Sequence, residues 1–196
     1  MKSGKFDNKT TKKTDSKSIR TFSYTLEINN VSHNFYEVDR IKNVTSDQLP
    51  FKNHVSHFQT TRNIRTSELL PLIHKKYGIK SMSIMFNHID KNGFNDISPY
   101  KINMFFCKKW DKNNPKEIEI LKKIKADKLI FTISHLKNYL IETAKGDKIS
   151  IITSGNPKIS SRYETYSIYN SVEFFNQMIN VYEKIEIESK QENSIT

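Results

Sequence analysis

From Phe22 the chain alternates, Phe22, Tyr24, Leu26 and Ile28 against Ser23, Thr25 and Glu27. This is the period of a half-buried strand and predicts one over residues 21–29. "NNVSHN" reads as a turn, and Phe35, Tyr36 and Val38 begin a second short strand. Residues 43–65 hold no sustained period and read as a long loop with one strand near Val55–Gln59; loops of that length in a compact domain are often functional. Leu69, Leu70, Ile73 and Tyr77 return at helical spacing, with Pro71 in the first turn and Gly78 as a stop, and predict a helix over 67–77. Met82, Ile84 and Phe86 mark one face of a strand over 80–89.

The second half of the chain is read in the same way. "DKNGFND" reads as a hairpin-type turn around Asn92-Gly93, with "YKINMFFCKKW" as the return strand, denser in apolar residues and so more central. Asn114 as cap, Pro115 in the first helical position and Glu117 three residues after the cap open a helix whose stripe is Ile118, Leu121 and Ile124. "KLIFTISH" is a strand. Ser134 then caps a helix through Leu136, Tyr139 and Leu140 that stops at Gly146. "KISIITSG" and "YETYSIY" are strands. Asn170 with Glu173 repeats the cap signal for a helix through Phe174, Phe175, Met178, Val181, Tyr182 and Ile185.

These elements interleave without a repeat. They define an α+β class: a single compact two-layer domain with a mixed or antiparallel sheet of about five to seven strands and about four helices. A disordered basic arm over residues 1–20 precedes the domain, which spans 21–188, and a polar tail covers 189–196.

Charge changes the picture. The chain carries a formal +11 over 196 residues. Seven basic residues against two acidic ones fall in the first twenty, and twelve against six in residues 66–125, while residues 171–196 are acidic. Such a balance favours a polyanionic partner, either nucleic acid, RNA before DNA, or an anionic membrane surface. The contacts expected are Lys9, Lys12, Lys13, Lys17 and Arg20 in the arm, and Lys108, Lys109, Lys112, Lys116, Lys122 and Lys123 in the middle. Trp110 lies among the latter lysines, placed to stack on a base or enter a headgroup layer.

Cys107 is the single cysteine, so no intrachain disulfide and no paired-thiolate metal site can form, and an intracellular, cytoplasmic or virion-associated location is expected. No apolar run is long enough to span a bilayer, and the N-terminus has no apolar signal region. Neither G-x-x-x-x-G-K-[ST] nor G-x-G-x-x-G occurs, which argues against nucleotide hydrolysis and dinucleotide redox chemistry. "DKNGFND" fails as a calcium loop, because Gly93 is fourth from Asp90 and the twelfth position is Lys101. No cofactor and no metal are expected.

Six histidines are present: His33, His54, His57, His74, His88 and His135. "HVSH" puts His54 and His57 on one face of a helix or on opposite faces of a strand. With Cys107 or an acid they would make an incomplete zinc set. With Arg62 or Arg65 for phosphate and an acid such as Asp39, either could serve a nuclease or phosphodiesterase.

The leading expectation is a non-enzymatic, polyanion-binding assembly protein, of the layout of viral coat, nucleocapsid or matrix proteins or of RNA-binding suppressors, with self-association. The alternatives are a small RNA- or DNA-processing enzyme using histidine acid–base chemistry, and a matrix-type protein on an anionic membrane surface.

Overall fold

The computed structural model describes residues 23–28, 31–60, 65–108, 115–159 and 163–194. The expected arm, with Lys9, Lys12, Lys13, Lys17 and Arg20, lies outside them, as do Arg62, Lys109, Trp110 and Lys112.

Nine strands form one mixed sheet: β1 (Ser23–Ile28), β2 (Val31–Val38), β3 (His54–Thr60), β4 (Ile79–Phe86), β5 (Ile102–Cys107), β6 (Ala126–Phe131), β7 (Asn138–Thr143), β8 (Lys148–Thr153) and β9 (Glu164–Asn170). Their order is β1-β2-β3-β9-β8-β7-β4-β5-β6. β2 runs parallel to β3, and β4, β5 and β6 run parallel to one another; every other pairing is antiparallel. Six strands therefore share one direction and bring their carboxyl ends to one edge of the sheet.

Four helices accompany the sheet: α1 (Leu70–Tyr77), α2 (Lys91–Ile97), α3 (Pro115–Lys123) and α4 (Val172–Ser194). Leu70, Ile73 and Tyr77 of α1, Ile97 of α2 and Leu121 of α3 pack on one face, against Ile84, Phe86, Phe105, Tyr139, Ile151 and Tyr166. Among the described residues the opposite face is covered only in part. There Phe175 and Tyr182 of α4 pack on Met85, Phe106, Ile130 and Leu140. The α+β class stands, with nine strands where five to seven were expected, and α4 adds cover on the second face.

Four local expectations are corrected. Asn92-Gly93 is not a hairpin turn: both lie in α2, whose cap is Asp90, with the Gly93 N–H donating to Asp90 Oδ1 at 2.7 Å. β5 is parallel to β4, which a two-residue hairpin cannot deliver. The helix expected after Ser134 is strand β7, buried on both faces, with Tyr139 and Ile141 turned to one core cluster and Leu140 to the other. A strand covered on both sides is a continuous apolar run and loses the period of two that would announce it. At α4 the capping oxygen belongs to Ser171, which accepts from the Phe174 N–H at 3.2 Å, while the Asn170 amide donates to Asp147. α4 also continues through the stretch expected as a tail, to Ser194.

Candidate active site at the carboxyl edge of the sheet

The segment after β8, "SGNP", is the hub of this edge. Thr153 Oγ1 accepts the Gly155 N–H at 3.1 Å, and the Ser154 N–H donates to Thr165 O at 3.1 Å. A Cβ on Gly155 would meet Glu164 Cδ and Thr66 Cγ2 at 2.9 Å, so glycine allows the chain to thread between them. Asn156 follows. Its side-chain oxygen accepts two backbone N–H groups from the segment after β4, Asn87 at 3.1 Å and His88 at 3.3 Å. Its backbone oxygen accepts from Thr66. Asp90 N–H reaches Pro157 O at 3.2 Å, and Asp90 Oδ2 accepts from the Ile159 N–H at 3.0 Å.

His135 stands at this edge in the segment before β7. Thr132 Oγ1 accepts the Ser134 N–H and Ser134 Oγ accepts the Leu136 N–H, two side-chain-to-backbone turns that fix the segment in a non-helical course. The His135 ring is exposed, and its Nδ1 lies 3.0 Å from Asn87 Nδ2. That hydrogen bond orients the imidazole and leaves Nε2 to act outward. Lys137, two residues on, donates to the His135 carbonyl at 3.3 Å, and its own carbonyl accepts from the Thr153 N–H. A second histidine is close in the chain to Asn87: His88 Nδ1 contacts Glu117 Oε2 at 3.3 Å, while Glu117 Oε1 accepts the Ile89 N–H at 2.9 Å. Glu117, in the first turn of α3, thus orients one histidine and Asn87 the other.

Beneath the edge lies a buried polar layer. Glu164 is buried and accepts a hydrogen bond from Ser154 Oγ, while Thr60 Oγ1 donates to its backbone oxygen. Tyr139 and Thr66 hydroxyls meet at 2.8 Å, and Ser67 donates to Asp96 at 2.7 Å. Burial holds the Tyr139 and Tyr166 phenols well above their ordinary range, so both stay neutral donors.

The residues singled out from sequence fall into different places. His54 and His57 lie on opposite faces of β3, as a strand requires, so they form no acid–base pair. His54 Nδ1 is held by Lys52 O at 2.9 Å. His57 faces the partly uncovered side, and burial, then the neighbouring His33, push its pKa down. Arg65 is committed to Glu68 at 3.1 Å and Asp96 at 3.4 Å and is not available to a phosphate. Cys107 is buried among apolar side chains, and desolvation pushes its thiol up to about 12, which makes it a packing residue. No group of three or more His, Cys, Asp or Glu among the described residues could hold a metal ion. Lys108 follows the last residue of β5 and Lys116 stands in the first turn of α3, both exposed and at this edge; Lys122 and Lys123 lie at the far end of α3, Lys123 bonded to Glu119 at 2.6 Å. Sequence reasoning counted His88 and His135 but gave them no role. The pattern "HLK" with "SGN" at the ends of adjacent strands was the available signal, hidden by the helix drawn through it.

The class is thus a mixed-sheet α+β protein with a histidine–lysine–amide cluster at the carboxyl edge. No protein-family model matches the chain, and no curated protein matches it. Among solved structures it is similar to "NucT from Helicobacter pylori", at 18% identity and a TM-score of 0.44, over 56% of this chain and 80% of that one. The expectation of a protein without catalytic chemistry is corrected on the cluster itself, which brings an exposed imidazole, a lysine and two side-chain amides together at one edge. No helix among the described residues is long and apolar enough to cross a membrane.

Proposed function

We propose that the chain is a small nucleic-acid-processing enzyme that cleaves phosphodiester bonds with His135 as its proton-transferring group. The observation that carries this reading is the convergence of His135, Lys137, Asn87 and Asn156 where β4, β7 and β8 meet at the carboxyl edge. That edge of an open sheet with parallel strands is the usual seat of a ligand site, since the loops there come from several strands at once.

The chemistry follows from the groups. A phosphodiester carries negative charge that grows on its non-bridging oxygens as the bond breaks, and Lys137 supplies compensating charge beside the imidazole. Asn156 uses its oxygen on two backbone amides, which leaves its amide nitrogen as a donor toward the same edge. Because Nδ1 accepts from the Asn87 amide, Nε2 carries the ring's proton and is placed to donate it to the leaving oxygen. His88, oriented by Glu117, stands one residue from Asn87 and supplies a second titratable group. Exposed Lys108 and Lys116 extend positive charge along the edge, and the chain's net charge supports a nucleic-acid substrate.

The test is direct. End-labelled single- and double-stranded RNA and DNA are incubated with purified protein, with and without a chelator. Cleavage is expected, and His135→Gln should lower it roughly 100-fold or more, the usual contribution of a proton-transferring side chain. Cleavage that survives His135→Gln unchanged, or none on any of the four substrates, sinks the proposal.

A further inference from the structure

Resting on the reading of a nucleic-acid-processing enzyme, we infer that the uncovered face of β2, β3 and β9 is a base-binding pocket that holds an unpaired nucleobase of the substrate strand beside the cleavage site. α4 lies across β6, β7 and β8 and leaves this face without a helix among the described residues. A cleft of about 320 Å³ opens there, with room for one planar heterocycle.

Its wall is aromatic. Phe35 and His57 lie face to face, centroids 4.4 Å apart and planes 17° from parallel. His57 is in turn locked in place. His33 Nδ1 and His57 Nε2 are 3.0 Å apart, with the rings within 8° of parallel and centroids at 5.3 Å. That separation is the N···N distance plus two ring radii, so the two imidazoles meet edge to edge in one plane, as a single N–H···N hydrogen bond demands. On its other nitrogen His57 bonds Ser167 Oγ at 2.8 Å. Both nitrogens of His57 are thereby occupied and Phe35 covers one face of the ring, so what remains for a ligand is the π face turned away from Phe35.

The rest of the lining is polar. Glu37, Gln59 and Thr165 line the cleft, with Gln59 and Thr165 exposed. Tyr36, Phe58 and Tyr166 alternate to the opposite face, so their backbone forms the floor. Among the described residues no aliphatic side chain lines the cleft, which is unlike the core of a protein-docking face. A flat π wall with amide, hydroxyl and carboxylate groups at its rim matches a nucleobase, whose face stacks and whose edge hydrogen-bonds. Glu37 accepts from an exocyclic amine and Gln59 both accepts and donates, so adenine and cytosine fit better than thymine.

The cleft is also in the right place. Gln59 pairs with Thr165, and Thr165 O accepts from the Ser154 N–H, two residues before Asn156. From β3 to β7 is three strand spacings, about 14 Å, a span that a few nucleotides cover.

The experiment uses the full chain carrying His135→Gln, so that binding is read without cleavage, and fluorescein-labelled 12-nucleotide strands of dA, dC and dT in anisotropy titrations. Tighter binding of dA and dC than dT is expected, with Glu37→Gln erasing the difference. Phe35→Leu removes the ring on which His57 is stacked and should weaken dA about tenfold. Gln59→Ala, at an exposed position that threatens no packing, should weaken dA as well. If the strands bind but all three substitutions leave every affinity unchanged, the base pocket is wrong and the enzyme reading stands. If the substitutions instead dissolve a dimer seen by sedimentation, the face is a protein interface and the inference is overturned. Failure of all three strands to bind removes the inference, and together with absent cleavage by the unsubstituted protein it removes the underlying reading.

Discussion

Asn156 binds the chain after β4 to the chain after β8: its side-chain oxygen lies 3.1 Å from the Asn87 amide nitrogen and 3.3 Å from that of His88. Since the Asn87 side chain orients His135, Asn156 sets the histidine at one remove. Asn156→Ala leaves two backbone donors without their acceptor and should cost about 1–3 kcal/mol of stability. Asn156→Asp keeps the acceptor and should recover most of that stability. Thermal unfolding of both variants, beside cleavage assays at a temperature where each is folded, separates the two effects. Equal stability of wild type and Asn156→Ala would show that these hydrogen bonds do not hold the edge together.

The glycine of α2 reports on the same loop. A Cβ at Gly93 would fall 1.8 Å from the backbone oxygen of Pro157, a distance no relaxation of one side chain can relieve. Gly93→Ala should therefore destabilise the fold by about 3 kcal/mol, the upper part of the range for overpacked substitutions. Urea denaturation measures it. A loss below about 0.5 kcal/mol, the scale of an ordinary surface change, would mean that α2 and the Pro157 loop are not in contact.

The physical reason that this edge was hard to read in the sequence is visible in β7. Leu26 and its neighbours announced β1 because apolar and polar residues alternate along it, and Leu69, Leu70, Ile73 and Tyr77 announced a helix because one side of it is wet. Asn138–Thr143 is covered by α4 on one face and by the main core on the other, so "NYLIET" shows neither period. Reading it as a helix placed Ser134, His135 and Lys137 in a helical first turn and kept them from "SGN". Asn92-Gly93 misled for the opposite reason. A strong local turn signal gave way to a tertiary need, since glycine is required there by the approach of Pro157. The α+β class and the basic character were legible because they rest on sums over many residues. The site was not, because it rests on which strand ends are neighbours.

His57 should write a signature into the pH dependence of stability. Its pKa in the folded protein lies below the 6.5 of a free side chain, first because burial disfavours the charged ring and then because His33 is beside it. The unfolded chain thus binds a proton that the folded one resists. Stability is complete above pH 6.5 and declines as pH falls below it, until the folded pKa is passed. Urea midpoints measured from pH 8 to 5 should drop on the acid side, and His57→Phe should flatten that drop. An unaltered slope in the variant would assign the effect to other groups.

The strand that follows Lys137 is anchored by a buried polar pair. Asn138 is fully buried at the start of β7, and the Tyr182 hydroxyl of α4 donates to its side-chain oxygen. The Asn138 amide nitrogen has no hydrogen-bond partner among the described residues, so this one hydrogen bond carries the polar satisfaction of the pair. Tyr182→Phe leaves the whole amide buried and unpaired, at a cost of about 1–3 kcal/mol. Asn138→Leu alone leaves the Tyr182 hydroxyl without its acceptor and should also destabilise. The double variant Tyr182→Phe with Asn138→Leu removes both polar partners and should lie closer to wild type than the sum of the two losses, since replacing a buried pair by apolar groups of similar shape is nearly neutral. Thermal unfolding of the four proteins makes the cycle. Strict additivity of the two losses would show that Tyr182 and Asn138 do not act as a pair, and that β7 is held at this point by packing alone.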